Sequence, residues 1–408
     1  MVNPARRNWQ LVAAVAVMLL ALIAVGRLQG RNLKAGDTGV PRSTKATVRT
    51  HDRPVASGLA LAGRMELPGP AAAVAVGEGA VWVLLEQGTL LRVDPDRHQV
   101  TGRLDLEGAT RRGPGGLAVG AGAVWVAIRD DTVTARIDPV RLRLTARFAG
   151  QVIVVADGVL WSYLVRGDKF MGFGRVDAGT LRPRRPLLVT DPAGRHPLLG
   201  GWFAVGNAAV WTAAFEDRRV WRVPLAGGPA RAVTRVPGHA YGLAADNGAV
   251  WVVSALAEPG SGADGSGRLR RLDRRTGAVS TITPLPDLDF GRDGVAIGLA
   301  LGGGAVWLAG PSSRRLEASG VLLRVDPASG RVTGWLRDPR WFFQDVLAAG
   351  PRGAWVATAT PELLHVLAAW GSLGQGCGPP RCLVTRAGLR LPPKAAPAKG
   401  RPMARTRR

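Results

Sequence analysis

The sequence predicts an all-β protein: a seven-bladed β-propeller of four-stranded antiparallel blades. Three observations carry this. A phrase built on Gly-Ala-Val-Trp recurs along the 408 residues, as "GAVWVLLEQGTLLRVDP" at Gly79–Pro95, "GAVWVAIRDDTVTARIDP" at Gly122–Pro139 and "GAVWLAGPSSRRLEASGVLLRVDP" at Gly304–Pro327. Aligned on its tryptophan it occurs seven times, at Trp82, Trp125, Trp161, Trp211, Trp251, Trp307 and Trp355. The steps are 43, 36, 50, 40, 56 and 48 residues, a period that marks a propeller or solenoid. Finally, 55 Gly and 29 Pro punctuate short apolar runs, which suits strands and turns rather than long helices.

From the amino end, residues 1–29 read as a cytoplasmic stub and a transmembrane anchor or signal helix. Arg6 and Arg7 precede fifteen uncharged residues from Leu11 to Val25, and Trp9 extends the apolar run to 9–25. Seventeen residues meet the lower limit of roughly 17–25 for a bilayer span. Ala24-Val25-Gly26 also offers small residues for cleavage. Residues 30–56 are polar and basic and read as a flexible tether.

Blade 1 illustrates the repeat. "AAVAVGEG", "AVWVLLE", "TLLRVDPD" and "QVTGRLDL" are four short runs in which apolar residues alternate with others, as half-buried strands require. Gly-x-Gly between the first two (Gly77 and Gly79, Gly120 and Gly122, Gly302 and Gly304) is expected to supply the positive φ of a tight hairpin. Asp94-Pro95, Asp138-Pro139 and Asp326-Pro327 close the third run with a turn whose Asp bonds the backbone ahead of it. The tryptophan falls in the second strand of every unit. Its ring is expected to fill the wedge between neighbouring sheets, each burying ~150–250 Å².

The propeller is expected over 57–370. Its seventh unit ends in "ELLHVLAAW" (Glu362–Trp370) without a fourth strand, whereas an orphan strand, "SGLALAGRMELPG" (Ser57–Gly69), precedes the first. The orphan is therefore expected to complete blade 7 and close the ring, leaving no exposed edge there.

Residues 371–408 form a basic, Pro-rich tail. Of the formal charge of +24, +7 lies in residues 1–57 and +9 in this tail, which leaves +8 for the propeller. Cys377 and Cys382, in "GCGPPRC", read as a small disulfide loop of an oxidising compartment.

With "GAVWV…RVDP…G-x-V" laid out, the chain resembles the bacterial propellers of the YVTN and virginiamycin B lyase-like group over Ser57 to Trp370. The resemblance implies the fold. The lyase of that group works with a His/Glu/His cluster and magnesium. Here the histidines stand singly at 51, 98, 196, 239 and 365, and the Asn usual after the repeat's "AVWVA" is replaced. No catalytic residue, cofactor or metal site is therefore expected. Asp287, Asp289 and Asp293 offer hard oxygens, but their spacing fits no calcium loop.

In a propeller, the loops after each second strand and between blades share one face. The long ones here are Leu256–Arg268, Gly310–Gly320, Thr190–Gly201, Pro284–Gly294 and "RDPRWFFQD" (Arg337–Asp345). They nominate Arg195, His196, His239, Arg292, Arg337, Arg340, Trp341 and Phe342 as binding residues. The expected protein is a membrane-tethered, extracytoplasmic binding or scaffold module for a protein or an anionic envelope polymer, with no nucleic acid expected. The alternatives are a lyase- or lactonase-like enzyme with a metal in the channel, and a cytosolic ring with a nucleic-acid-binding tail.

Overall fold

The computed structural model describes residues 55–106, 116–128, 133–150, 152, 154–166, 169–190, 201–206, 208–214, 218–246, 248–256, 267–290, 297–312, 320–338 and 343–369. The anchor or signal segment 1–29, tether residues 30–54, the Cys377/Cys382 pair and the rest of the tail lie outside them. So do Arg195, His196, Arg292, Arg340, Trp341 and Phe342.

Seven antiparallel sheets succeed one another along the chain, over residues 71–105, 117–149, 154–188, 201–235, 239–284, 298–338 and 343–368. Each runs from an inner first strand to an outer fourth. Second strands such as Ala80–Leu85 and Ala123–Ile128 are buried from end to end, because each lies mid-sheet with a neighbouring blade on both faces. That explains their unbroken apolar spelling. The fourth strands face water and alternate, as in Gln99–Asp105.

All seven repeat tryptophans are at most 2% exposed. Each shares a core cluster with the next blade. Trp82 packs with Val124 and Val126, Trp161 with Val210, Trp211 with Val250 and Val252, and Trp251 with Val306 and Leu308. Trp125 meets Leu160 and Trp307 meets Val356. Trp355 of blade 7 packs with Val81 and Val83 of blade 1. The wedge expected from the sequence is present at every interface.

The two glycines of Gly-x-Gly turn out to differ. Positive φ falls on the second glycine and on the residue before it: Glu78 (50°) and Gly79 (76°), Ala121 (55°) and Gly122 (71°), Gly303 (58°) and Gly304 (68°). Two such residues make the type I′ turn that matches strand twist. The first glycine, at positive φ only in Gly120 (148°), serves close approach. A Cβ on Gly77 would lie 2.7 Å from Val119 Cγ1 in the next blade, and one on Gly302 would lie 2.6 Å from the Ala349 carbonyl carbon. Its carbonyl also accepts the indole N–H, from Trp82 to Gly77 (3.0 Å), Trp125 to Gly120 (3.0 Å) and Trp307 to Gly302 (3.1 Å).

The amino-terminal strand begins earlier than expected and serves two blades. β1 (Val55–Ser57), two of whose residues were assigned to the tether, pairs with the outer strand of blade 6, with Val55 opposite Arg337 and Ser57 opposite Trp335. That sheet thereby gains a fifth strand. β2 (Leu59–Glu66) then supplies the fourth strand of blade 7, pairing with Glu362–Ala368. Gly58, at φ +67°, makes the crossing between them. A Cβ there would lie 2.2 Å from the Thr333 carbonyl oxygen.

Candidate functional site

The inner strands bring together little chemistry. Four of the seven are spelled in Val, Ala, Leu and Gly alone: "AAAVAVG" (Ala71–Gly77), "LAVG" (Leu117–Gly120), "VVA" (Val154–Ala156) and "GLALG" (Gly298–Gly302). The others add larger or polar residues, in "GWFAVG" (Gly201–Gly206), "HAYGLAA" (His239–Ala245) and "FQDVLAAG" (Phe343–Gly350). Among the described side chains of the seven inner strands, His239 is the one imidazole and there is no carboxylate. His239 is buried at the start of its strand, opposite Ala255. Among the described residues no three His, Cys, Asp or Glu converge as metal ligands.

The segments read as open loops are partly core. Pro284–Gly294 folds back as far as Phe290: Leu285, Leu288 and Phe290 are fully buried, Leu288 bridges to Ser312, and the Tyr241 hydroxyl donates to the Phe290 carbonyl (3.0 Å). Gly310 and Pro311 extend a strand, Ala305–Pro311. Arg337 is likewise in a strand, Val332–Asp338, rather than in a loop. Its guanidinium lies 5.3 Å from the Trp335 ring and pairs with Asp287, tying blade 6 to the segment after blade 5. Asp287 is thereby an ion-pair partner.

Beside that pair lies an open cleft of about 510 Å³ between the outer strands of blades 5 and 6. Thr281, Thr283, Pro286, Asp287 and Arg331 line it together with the exposed Ile282 and Val332. The size is that of a ligand-holding pocket. Of the nominated residues, the structure places Arg337 next to it through Asp287 and His239 away from it on an inner strand.

Sequence reasoning missed a second repeating feature. Every repeat tryptophan stands opposite a cationic or imidazole residue on the third strand: Arg92, Arg136, Arg175, Arg222, Arg271, Arg324 and, in blade 7, His365. The guanidinium carbons of Arg136, Arg175, Arg222 and Arg271 lie 5.7–6.0 Å from their ring centroids, within cation–π reach. The signal was the Arg of "RVDP" and "RIDP", which the turn assignment absorbed. The turn itself is as expected. Asp94 accepts the N–H groups of Asp96 (2.8 Å) and Arg97 (2.9 Å), and Asp138 those of Val140 and Arg141. Asp177 and Asp273 do the same without a following proline, so the carboxylate is the constant part. These bonds favour the ionised form and hold each carboxyl below its usual range. For Asp177 the Arg184 guanidinium is the largest cause.

Blade 7 breaks the pattern in an informative way. The His365 ring stacks on Trp355 (4.1 Å between centroids, 5° between planes). Its Nε2 donates to the Arg352 carbonyl (3.0 Å), which leaves Nδ1 to accept from His98 Nε2 (2.8 Å). His98 belongs to the turn of blade 1, and Arg352 pairs with Asp96 of that same turn. Two histidines that stand singly in sequence therefore meet at the junction of blades 1 and 7. Burial, and then the neighbouring His98 and Arg352, push the His365 pKa down.

Arginines also gather on the outer strands of blades 3 and 4. Arg175 stands opposite Arg184, Arg222 opposite Arg231, and Arg219 opposite Arg235.

No family model and no curated protein matches the sequence. By contrast, 1334 solved chains match in structure. One of them, "Kuenenia stuttgartiensis Hydrazine Synthase", aligns at a TM-score of 0.51 with 14% sequence identity, over 76% of this chain and 98% of that one. At that identity the match shows the fold alone, and the chain is a β-propeller of seven four-stranded blades.

Proposed function

We propose that this chain is a membrane-tethered, extracytoplasmic propeller that binds a protein or an envelope polymer on its outer surface. Its repeats are of the YVTN and virginiamycin B lyase-like kind, and β1 and β2 lace the ring shut. One observation supports this reading above the others. Among the described side chains, charge is concentrated on the outer strands and their turns, while those of the inner strands are uncharged apart from the titratable His239. An enzyme of the lyase or lactonase kind needs convergent carboxylates and imidazoles in the channel, and among the described side chains of the inner strands His239 is the one such group.

Site-specific photo-crosslinking in intact cells tests the reading. A benzophenone side chain at Ile282, in the cleft of blades 5 and 6, is expected to give a discrete adduct, and one at Val76, on the inner strand of blade 1, none. Adducts at Val76 alone, or stoichiometric metal in the purified protein, would support the enzyme. Protease treatment of intact cells is expected to digest the propeller; full protection would place it in the cytosol.

A further inference from the structure

We infer that the seam between blades 7 and 1 is an acid-operated latch: the His98 and His365 imidazoles hold the lacing strand β2 while neutral and release it once both are charged.

The latch is a variant of a contact that recurs around the ring. In five blades the residue four places after the turn Asp donates its N–H to that Asp's carbonyl and takes a positive φ. These residues are His98 (53°), Leu142 (51°), Leu181 (57°), Gly277 (75°) and Gly330 (67°). Each packs toward the outer strand of the blade before it. A Cβ on Gly102 would lie 2.8 Å from Leu142 Cδ2, and one on Gly63 would fall on the His98 ring. Leu181 shares a core cluster with Phe148, while Gly277 and Gly330 sit closely on Val233 and Thr281.

Two seams then match residue for residue. Trp82, Arg92, Gly102 and Leu142 form the seam of blades 1 and 2, and Trp355, His365, Gly63 and His98 stand at the same places between blades 7 and 1. Two titratable rings therefore replace a cation and an aliphatic side chain at the seam that β2 closes. The third described imidazole, His239, is on an inner strand.

With both rings neutral, His365 Nδ1 accepts from His98 Nε2, and His365 Nε2 donates to the Arg352 carbonyl. One proton can be absorbed, because His98 can offer Nε2 as the acceptor of an Nδ1–H from His365. A second sets N–H against N–H at 2.8 Å, and the contact breaks. The charges that face the pair are already answered. Asp96 of the blade 1 turn pairs with Arg352 of the blade 7 turn, Asp94 with Arg97, and Glu362 with Arg64 of β2. Trp355 and Gly63, against the rings, carry no charge, and among the described residues no carboxylate bonds either imidazole. Burial, then His98 and Arg352, hold the His365 pKa below its usual value. A released His365 takes its proton near 6.5, so the latch is fully engaged at pH 7 and is lost as pH falls toward the closed-state value. Opening lifts β2 and bares the edge of Glu362–Ala368, a strand then able to pair with another chain.

Hydrogen exchange of the full chain at pH 7 and pH 5, corrected for the intrinsic rate at each pH, tests this. Protection of β2 is expected to fall about tenfold or more at pH 5, while that of Val159–Arg166 in blade 3 holds. The turn aspartates titrate around or below 3.8, outside this window. His98→Leu/His365→Arg copies the seam of blades 1 and 2 and is expected to keep its β2 protection at both pH values. His98→Leu alone, which leaves one buried imidazole, is expected to fall between. Unchanged β2 protection in the wild type would overturn the inference. So would a loss shared equally by blade 3, or the same loss in the double variant.

Discussion

Each indole of the repeat faces an arginine, or in blade 7 His365, across its own sheet and packs on aliphatic side chains of the next one. The aliphatic contact is the larger. Removing a buried Trp forfeits both its transfer free energy and the cavity left behind, so Trp211→Ala is expected to cost about 3–5 kcal/mol in urea unfolding. Arg222→Ala, which removes only the half-buried partner at 6.0 Å, is expected to cost about 0.5–1 kcal/mol. Comparable losses would mean that the cation rather than the wedge holds the blade.

The histidine pair gives a pH dependence with a definite sign. His365 is depressed below 6.5 in the folded protein, so below that value the unfolded chain binds its proton first. The stability it contributes is full above 6.5 and is lost as pH falls toward the folded value. The facing groups are His98, the Arg352–Asp96 pair and the uncharged Trp355. Melting temperature should drop from pH 7 to pH 5, and His365→Gln should flatten that drop. The turn aspartates, also depressed, act in a second window, losing their contribution as pH falls below 3.8. The tryptophans were legible because they recur in one register. The His98–His365 contact was not, because 267 residues separate the two and no local pattern links them.

Among elements, the second strands were easiest to read, since burial on both faces spells them mostly in apolar residues around the repeat tryptophan. β2 was legible as the complement of an incomplete seventh blade. β1 was not: three residues, Val-Ala-Ser, carry no periodicity, and their place on blade 6 is set by tertiary pairing. The hinge between them is the sensitive point. Gly58→Ala must both adopt φ +67° and move its Cβ away from the Thr333 carbonyl. A loss of about 1–3 kcal/mol and poorer soluble yield are expected. Gly179→Ala is the control, since its Cβ would meet only Asp177 Oδ1 at 3.5 Å.

At the scale of the molecule, seven interfaces repeat one design with local departures. Blade 7 exchanges Arg for His, blade 6 gains a strand, and blades 3 and 4 oppose their arginines. The period and the turn residues revealed the blade count. The departures stayed hidden because each depends on register, and a single sequence does not display which residues face each other across strands. Of the eight nominated residues, His239 and Arg337 are the two among the described residues, and both stand in strands rather than in loops.

The lacing of the ring is most directly tested by joining β2 to blade 7 covalently. Ala60 and Leu367 are register partners. Opposed residues in an antiparallel pair lie about 4.5–5.5 Å apart at Cα, within disulfide range. With Cys377 and Cys382 replaced by Ser, the Ala60→Cys/Leu367→Cys variant should form an intramolecular disulfide in near-quantitative yield and melt higher when oxidised than when reduced. Free thiols in the folded protein, or disulfide-linked dimers in their place, would contradict it.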